Sequence, residues 1–266
     1  MTAPGQAFSG KIVAITGASG GIGQALCRHF GHEGGVIAAI DISPSVVDFA
    51  AELHKDGIGA SAAVADIGDA AAVATAFREL AERLGPVDIL VNNAGFSNHP
   101  TFARTDPAGW QSDLQGNLNG AYHCVHAVID GMVAKLAGSI VSVGSVNGLG
   151  ALGDPAYSAA KAGMISLTRS LALEYGCYGI RANIVLPGTV RTPLWERRAA
   201  KHPDVLKTLT RWYPLGRIVD PVDVARVVGF LASDAAAAVT GVALPVDCGL
   251  SAGNIVMARE LTLEEF

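Results

Sequence analysis

The chain has 266 residues, half of them hydrophobic, and 32 glycines, which suits one large α/β domain with a substantial core. Lys and Arg number 19 against 24 Asp and Glu with no basic run, so nucleic acid is excluded as the expected partner. No apolar stretch reaches membrane-spanning length without Gly, Pro or charge, residues 1–10 do not read as a secretory signal, and four scattered cysteines read as reduced thiols, so a cytoplasmic location is expected.

Lys11 to Thr16 is a short β-branched run and reads as a first strand. Thr16-Gly17-Ala18-Ser19-Gly20-Gly21-Ile22-Gly23 follows, and then a helical pattern to about His32. Strand, glycine-rich turn and helix start are the parts of a dinucleotide site, where backbone N–H groups and the helix dipole face a pyrophosphate. Glycine is needed there because a Cβ would block close approach. Val36 to Ile40 reads as the second strand and ends at Asp41. An acid at that point accepts from the adenosine ribose hydroxyls and repels a 2′-phosphate, which argues for NAD over NADP. Ser43 at N-cap and Pro44 at N1 start the next helix and leave Asp41 free.

Ala60 to Ala65 is a weak third strand ending at Asp66-Ile67, and a helix runs from Asp69 to Leu84. Val87 to Val91 is the fourth strand and leads into Asn92-Asn93-Ala94-Gly95. Asp106-Pro107 opens a long helical stretch to about Lys135, interrupted by Gly116 and Gly120 and containing Asn117, either a bonded core amide or a holder of water. Ser139 to Val143 is the fifth strand and leads to Gly144-Ser145. Ala156 to Tyr175 reads as helix, so Tyr157 and Lys161, four apart, point into one space. A phenol titrates near about 10, and an ammonium one turn away favours the phenolate. The pair is then a general acid/base for a proton on an alcohol oxygen. Ile180 to Leu186 is the sixth strand, Thr189 to about Tyr213 is less regular, Pro221 to Ala232 is a helix, and Gly241 to Val246 is the last strand. Strands alternating with helices over the whole length predict a single domain, a Rossmann-like doubly wound parallel sheet with helices on both faces. Residues 1–10 form an N-terminal extension and residues 250–266 a tail.

This combination resembles the single-domain short-chain dehydrogenase/reductase family. The matching motifs are Thr16 to Gly23, Asp66-Ile67, Asn92 to Gly95, Asn117, Ser145, Tyr157-x-x-x-Lys161, and Pro187-Gly188-Thr189-Val190-Arg191-Thr192. The resemblance implies an NAD(H)-dependent oxidoreductase that interconverts a secondary alcohol and a ketone. Tyr157 is its acid/base, Lys161 lowers the Tyr157 pKa and holds the nicotinamide ribose, Ser145 orients the substrate oxygen, and Asn117 holds a water linking Lys161 to solvent. The implied cofactor set is Gly17, Ser19, Gly20, Gly21, Ile22, Gly23, Asp41, Asp66, Ile67, Asn93, Ala94, Gly95, Tyr157, Lys161, Pro187, Gly188, Val190 and Thr192. A catalytically idle dinucleotide-binding protein is the alternative, against which the full set of Asn117, Ser145, Tyr157 and Lys161 argues. A sugar-nucleotide epimerase or dehydratase would need a longer C-terminal region, and an enoyl reductase would usually space its Tyr and Lys more widely.

Two departures stand out. Ser145 lies twelve positions before Tyr157, one closer than the family pattern, which implies a one-residue deletion between Val146 and Pro155; Ser142 is the less favoured candidate. Cys248 replaces a common glycine and reads as tolerated packing. His123, Cys124 and His126 do not make a full ligand set, so no metal is expected. Asn98-His99-Pro100 reads equally as cleft lining or solvated loop. Arg191, Arg197 and Arg198 with Trp195 lie where relatives carry a substrate-covering loop, and carboxylate or sugar recognition stands there beside a plain solvated surface. Apolar helices over Asp106–Lys135 and Ala156–Tyr175, with small residues at Ala159, Ala160, Ala162 and Gly163, predict a homotetramer. A second interface is expected from Pro221 to Val246, with the tail to Phe266 reaching towards a neighbour.

Overall fold

The computed structural model describes residues 6–264; the first five residues of the expected extension and the last two of the expected tail lie outside the described residues. Within them, the apolar runs form β1 (Ile12–Thr16), β2 (Val36–Asp41), β3 (Ala60–Val64), β4 (Ile89–Asn92), β5 (Gly138–Val143), β6 (Ile180–Pro187) and β7 (Ala243–Val246). All pair in parallel in the order β3-β2-β1-β4-β5-β6-β7. The helices are α1 (Gly21–His32), α2 (Ser45–Lys55), α3 (Ala70–Leu84), α4 (Pro107–Leu114), α5 (Gly120–Lys135), α6 (Pro155–Tyr175), α7 (Pro193–Lys201), α8 (Val205–Thr210), α9 (Pro221–Ala232) and α10 (Ile255–Thr262).

Parallel strands need crossover helices, which cover both sheet faces, so the strands are apolar on both sides. Val13, Ile15, Ile37, Val91 and Val185 pack with Leu26 and Phe30 of α1, Val46 and Leu53 of α2, and Val224 and Val228 of α9. Their neighbours Ala14, Ile40, Leu90 and Ile140 point the other way, onto Val73 and Phe77 of α3 and Val128 and Met132 of α5. Strand order reverses direction between β1 and β4, which opens a crevice at their carboxyl ends. Phe8, inside the expected extension, is buried with its ring 4.6 Å from that of Phe30.

Helix starts follow local chemistry. Asp69 caps α3 by accepting from the N–H groups of Ala71 and Ala72 at 2.9 and 3.2 Å. Asp220 and Asp223 form a capping box at α9, with Pro221 in the first turn. At α2 the helix begins at Ser45 with Pro44 in the capping place, and the Ser43 hydroxyl accepts from Ser45 N at 3.3 Å.

One stretch is interrupted where expected, and another is more regular than expected. The helical stretch over Asp106–Lys135 is interrupted at Gly116 and Gly120 as expected, and the interruption is a π turn, Gln115–Asn119, joining two helices. The reason lies in the two glycines. A Cβ on Gly116 would come within 2.2 Å of the Phe96 ring, and one on Gly120 within 2.5 Å of the Ile67 side chain, so the backbone here lies against both loops of the crevice. Thr189 to Tyr213, expected to be irregular, carries α7 and α8; both are short, and α7 is rich in charge, which hides a helical period.

Candidate active site

The carboxyl ends of β1, β2 and β4 surround a cavity of about 570 Å³. Gly17, with φ of +63°, turns the chain out of β1; a Cβ there would sit 2.8 Å from Ala94 Cα. A Cβ on Gly23 would lie 2.0 Å from Gly17 O. Gly20 occupies the α1 cap without a side chain, so the helix presents uncapped N–H groups to the cavity. Asn93 Nδ2 donates to Thr16 O and Gly17 O at 2.9 and 3.1 Å, and the Thr16 hydroxyl accepts from Asn93 N and Ala94 N, each at 3.0 Å. These bonds lock the glycine turn to the Asn93–Gly95 segment. Thr16 was not among the expected site residues; its signal was a hydroxyl at a strand end.

Asp41 lines the cavity but is not free. Its carboxylate accepts from Ser19 N at 3.0 Å and from Ser43 N at 2.9 Å, bracing the loop. Each oxygen keeps a further lone pair for a ligand hydroxyl. A glycine cradle that any Cβ would fill, an uncapped helix start and a carboxylate at the far end fit a dinucleotide.

A second cavity of about 150 Å³ adjoins the first and shares Ile22, Asn93 and Gly95 with it. Ser145, Tyr157 and Lys161 line it, with Pro187, Gly188 and Val190 opposite. Ser142 is buried in β5 and is not part of its wall. Every residue of the expected cofactor set lines one cavity or the other. Asn117 lies beneath them, fully buried in the π turn. Its Nδ2 donates to Phe96 O and Asp113 O, both at 2.8 Å, while Oδ1 has no protein partner. A Cβ on Gly95 would touch both that Oδ1, at 2.6 Å, and Lys161 Nζ, at 3.2 Å, so the two groups face one point.

Burial dominates the electrostatics of the pair. Lys161 Nζ lies 5.5 Å from the centre of the Tyr157 ring and donates to Val143 O at 3.0 Å. Burial pulls the Lys161 pKa down to about 8. Burial pushes the Tyr157 phenol above its ordinary value; the Ser145 hydroxyl acts to lower it and the Asp154 charge to raise it. Desolvation outweighs the Ser145 hydrogen bond.

The arginine cluster divides. Arg191 pairs with Asp220 at 3.2 Å, Arg198 stacks over Trp195 at 4.8 Å, and Arg197 of α7 reaches the larger cavity. His99 Nδ1 lies 3.4 Å from the buried Asp113 carboxylate. His123 meets Ile67 O at 2.9 Å, and among the described residues no group of three His, Cys, Asp or Glu could hold a metal ion. Val143, Gly144, Phe96 and Gly116 also line the cavities and were missed, because small and apolar residues beside a motif carry no signal of their own.

A family model described as enoyl-(acyl carrier protein) reductase matches residues 17–251. The chain belongs to the short-chain dehydrogenase/reductase family. It is an oxidoreductase of that family, which uses a nicotinamide dinucleotide cofactor. An uncharacterized oxidoreductase of Schizosaccharomyces pombe is 44% identical over 257 residues, 96% of each chain. Cis-4-hydroxycyclohexanecarboxylate dehydrogenase of Sinomonas cyclohexanicum is 37% identical over 250 residues, covering 93% of this chain and 99% of its own. Among solved structures, a family oxidoreductase from Burkholderia thailandensis is 50% identical with a TM-score of 0.90, covering 96% and 98% of the two chains. A gluconate 5-dehydrogenase from Burkholderia cenocepacia, in complex with NADP and tartrate, is 30% identical with a TM-score of 0.87, covering 94% and 98%.

Proposed function

We propose that this protein interconverts a secondary alcohol and a ketone with NAD(H), using Tyr157 as the acid/base. The observation that carries this reading is that the small cavity bearing Ser145, Tyr157 and Lys161 continues the larger one around the glycine turn. The nicotinamide ring, when bound, accepts or donates the hydride. In ketone reduction the Tyr157 phenol gives its proton to the substrate oxygen, and in alcohol oxidation the Tyr157 phenolate, once its proton has left, takes the hydroxyl proton. Ser145 Oγ donates to the substrate oxygen and orients it. Lys161 supplies the positive charge that favours the proton's departure, and the unpartnered Asn117 Oδ1 beside it marks the way to solvent. Gly17 to Gly23, Asp66, Ile67 and Asn93 to Gly95 would hold the dinucleotide on the β1–β4 side, and Pro187, Gly188, Val190 and Thr192 would hold it on the other.

Asp41 favours NAD over NADP, since its carboxylate would face a 2′-phosphate. The test compares kcat/KM for NAD and NADP across a panel of secondary alcohols. A higher value with NADP refutes the cofactor reading, and turnover of none of the alcohols or ketones refutes the reaction. The assembly is read as a homotetramer and the compartment as cytoplasm. The first is supported by Tyr122 of α5 and Leu173 of α6, exposed on the helices expected at the interface. The second is supported by free cysteines and by the absence, among the described residues, of a helix long and apolar enough to cross a membrane.

A further inference from the structure

We infer that Asn147 is a positioning residue that aims the Ser145 hydroxyl and ties it to α6; this rests on the acid–base reading of Ser145 and Tyr157 above. A serine hydroxyl turns about single bonds with three staggered wells, and only one directs it usefully into the cavity. Asn147 constrains that rotor twice. Its backbone N–H donates to Ser145 Oγ at 3.2 Å and fixes the oxygen, while its Oδ1 holds the single hydroxyl proton at 3.3 Å until a substrate oxygen takes it over.

The amide is held from behind. Asn147 Nδ2 donates to Gly153 O at 3.3 Å and to Ser158 Oγ at 3.2 Å, and Ser158 Oγ donates to Gly153 O at 2.8 Å. A carbonyl oxygen can only accept, so Nδ2 must face Gly153 and Oδ1 must face Ser145. Ser158 is the residue after Tyr157 on α6. One side chain therefore connects the end of β5, the shortened loop and the tyrosine helix. The turn has little freedom to shift, since a Cβ on Gly148 would lie 3.0 Å from the Lys161 backbone. Bonds in series polarise one another, so the Asn147 N–H also makes Ser145 a better donor.

Asn147→Ala and Asn147→Asp test this. Kinetics are read with NAD, and the Tyr157 phenolate is titrated by absorbance, with the Tyr157→Phe protein subtracted. Asn147→Ala should lower kcat about tenfold and change KM and NADH affinity little, because the Nδ2 tie to Gly153 and Ser158 is lost and the Ser145 oxygen, held only by the backbone N–H, drifts from the reacting oxygen. Asn147→Asp keeps the shape, so it remains informative where the alanine protein fails to fold. It loses the donor to Gly153 and puts a negative charge beside the Tyr157–Ser145 pair, raising the phenolate midpoint by about one pH unit. Wild-type kcat in Asn147→Ala, or an unmoved midpoint in Asn147→Asp, overturns the proposal. A wild-type protein that turns over no alcohol or ketone overturns the reaction reading instead, and the phenolate titration still decides where Asn147 acts.

Discussion

Tyr157 and Lys161 show how much two neighbouring side chains can be asked to do. Tyr157→Phe keeps the packed ring and removes the transferable proton, so turnover should fall to near background while NADH binding, read by fluorescence, stays close to wild type. Wild-type-like turnover in that variant would exclude Tyr157 as the acid/base. Lys161 is almost fully buried, with its pKa pulled from 10.5 to about 8. Below pH 8 the lysine is charged in both folded and unfolded protein, and the full desolvation penalty is present. Between about 8 and 10.5 the folded protein has released a proton that the unfolded chain still holds, so stability rises with pH across that window. Lys161→Met, of similar size, should remove activity yet stabilise the fold by about 1–3 kcal/mol at pH 7, after allowing for the Val143 carbonyl left unbonded. The gain should shrink as pH approaches 10. Urea unfolding at pH 7 and pH 10 checks both, and a destabilised variant at pH 7 would contradict the burial argument.

At the scale of elements, the π turn between α4 and α5 is the least regular piece and does the most positioning. It buries Asn117 beneath the cavities and brings Gly120 against Ile67. Two effects compete in Gly120→Ala. Helix propensity alone would stabilise by about 1 kcal/mol, whereas forcing a Cβ against a buried β-branched side chain costs about 1–3 kcal/mol. The contact at 2.5 Å, with Ile67 Cβ itself at 3.2 Å, makes the clash the larger effect. Unfolding midpoints should fall, and NADH affinity should weaken several-fold as the Asp66–Ile67 segment shifts. A stabilised variant with unchanged affinity would mean that the loop yields freely. Asp41 belongs to the same scale, since it braces the glycine turn through Ser19 N. Asp41→Ala should therefore relax the preference for NAD and also weaken binding of both cofactors; comparison of the two dissociation constants separates the contributions.

For the whole molecule, the question is what covers the outer helix faces. Ala160 and Gly163 turn inward, the latter against Leu118, while Ala159 and Ala162 remain on the outside with Leu173, which is 85% exposed. A two-fold packing of these faces would bury them on both subunits at once. Light scattering at micromolar protein should give about four times the 27.2 kDa chain mass, and a fully active monomer would defeat the tetramer. The parallel strand pattern, the glycine turn, the acid ending β2 and the Tyr157–Lys161 spacing were all legible in the order of residues. Each depends on local sterics, on helical periodicity, or on strands apolar on both faces. Three other features became visible only in three dimensions: the engagement of Asp41 by Ser19 and Ser43, the arrival of Arg197 rather than its neighbours at the cavity, and the grip of Asn147 on Ser145. The direction of the Tyr157 pKa belongs with them, because desolvation is summed over every segment packed around the ring and outweighs the Ser145 hydrogen bond.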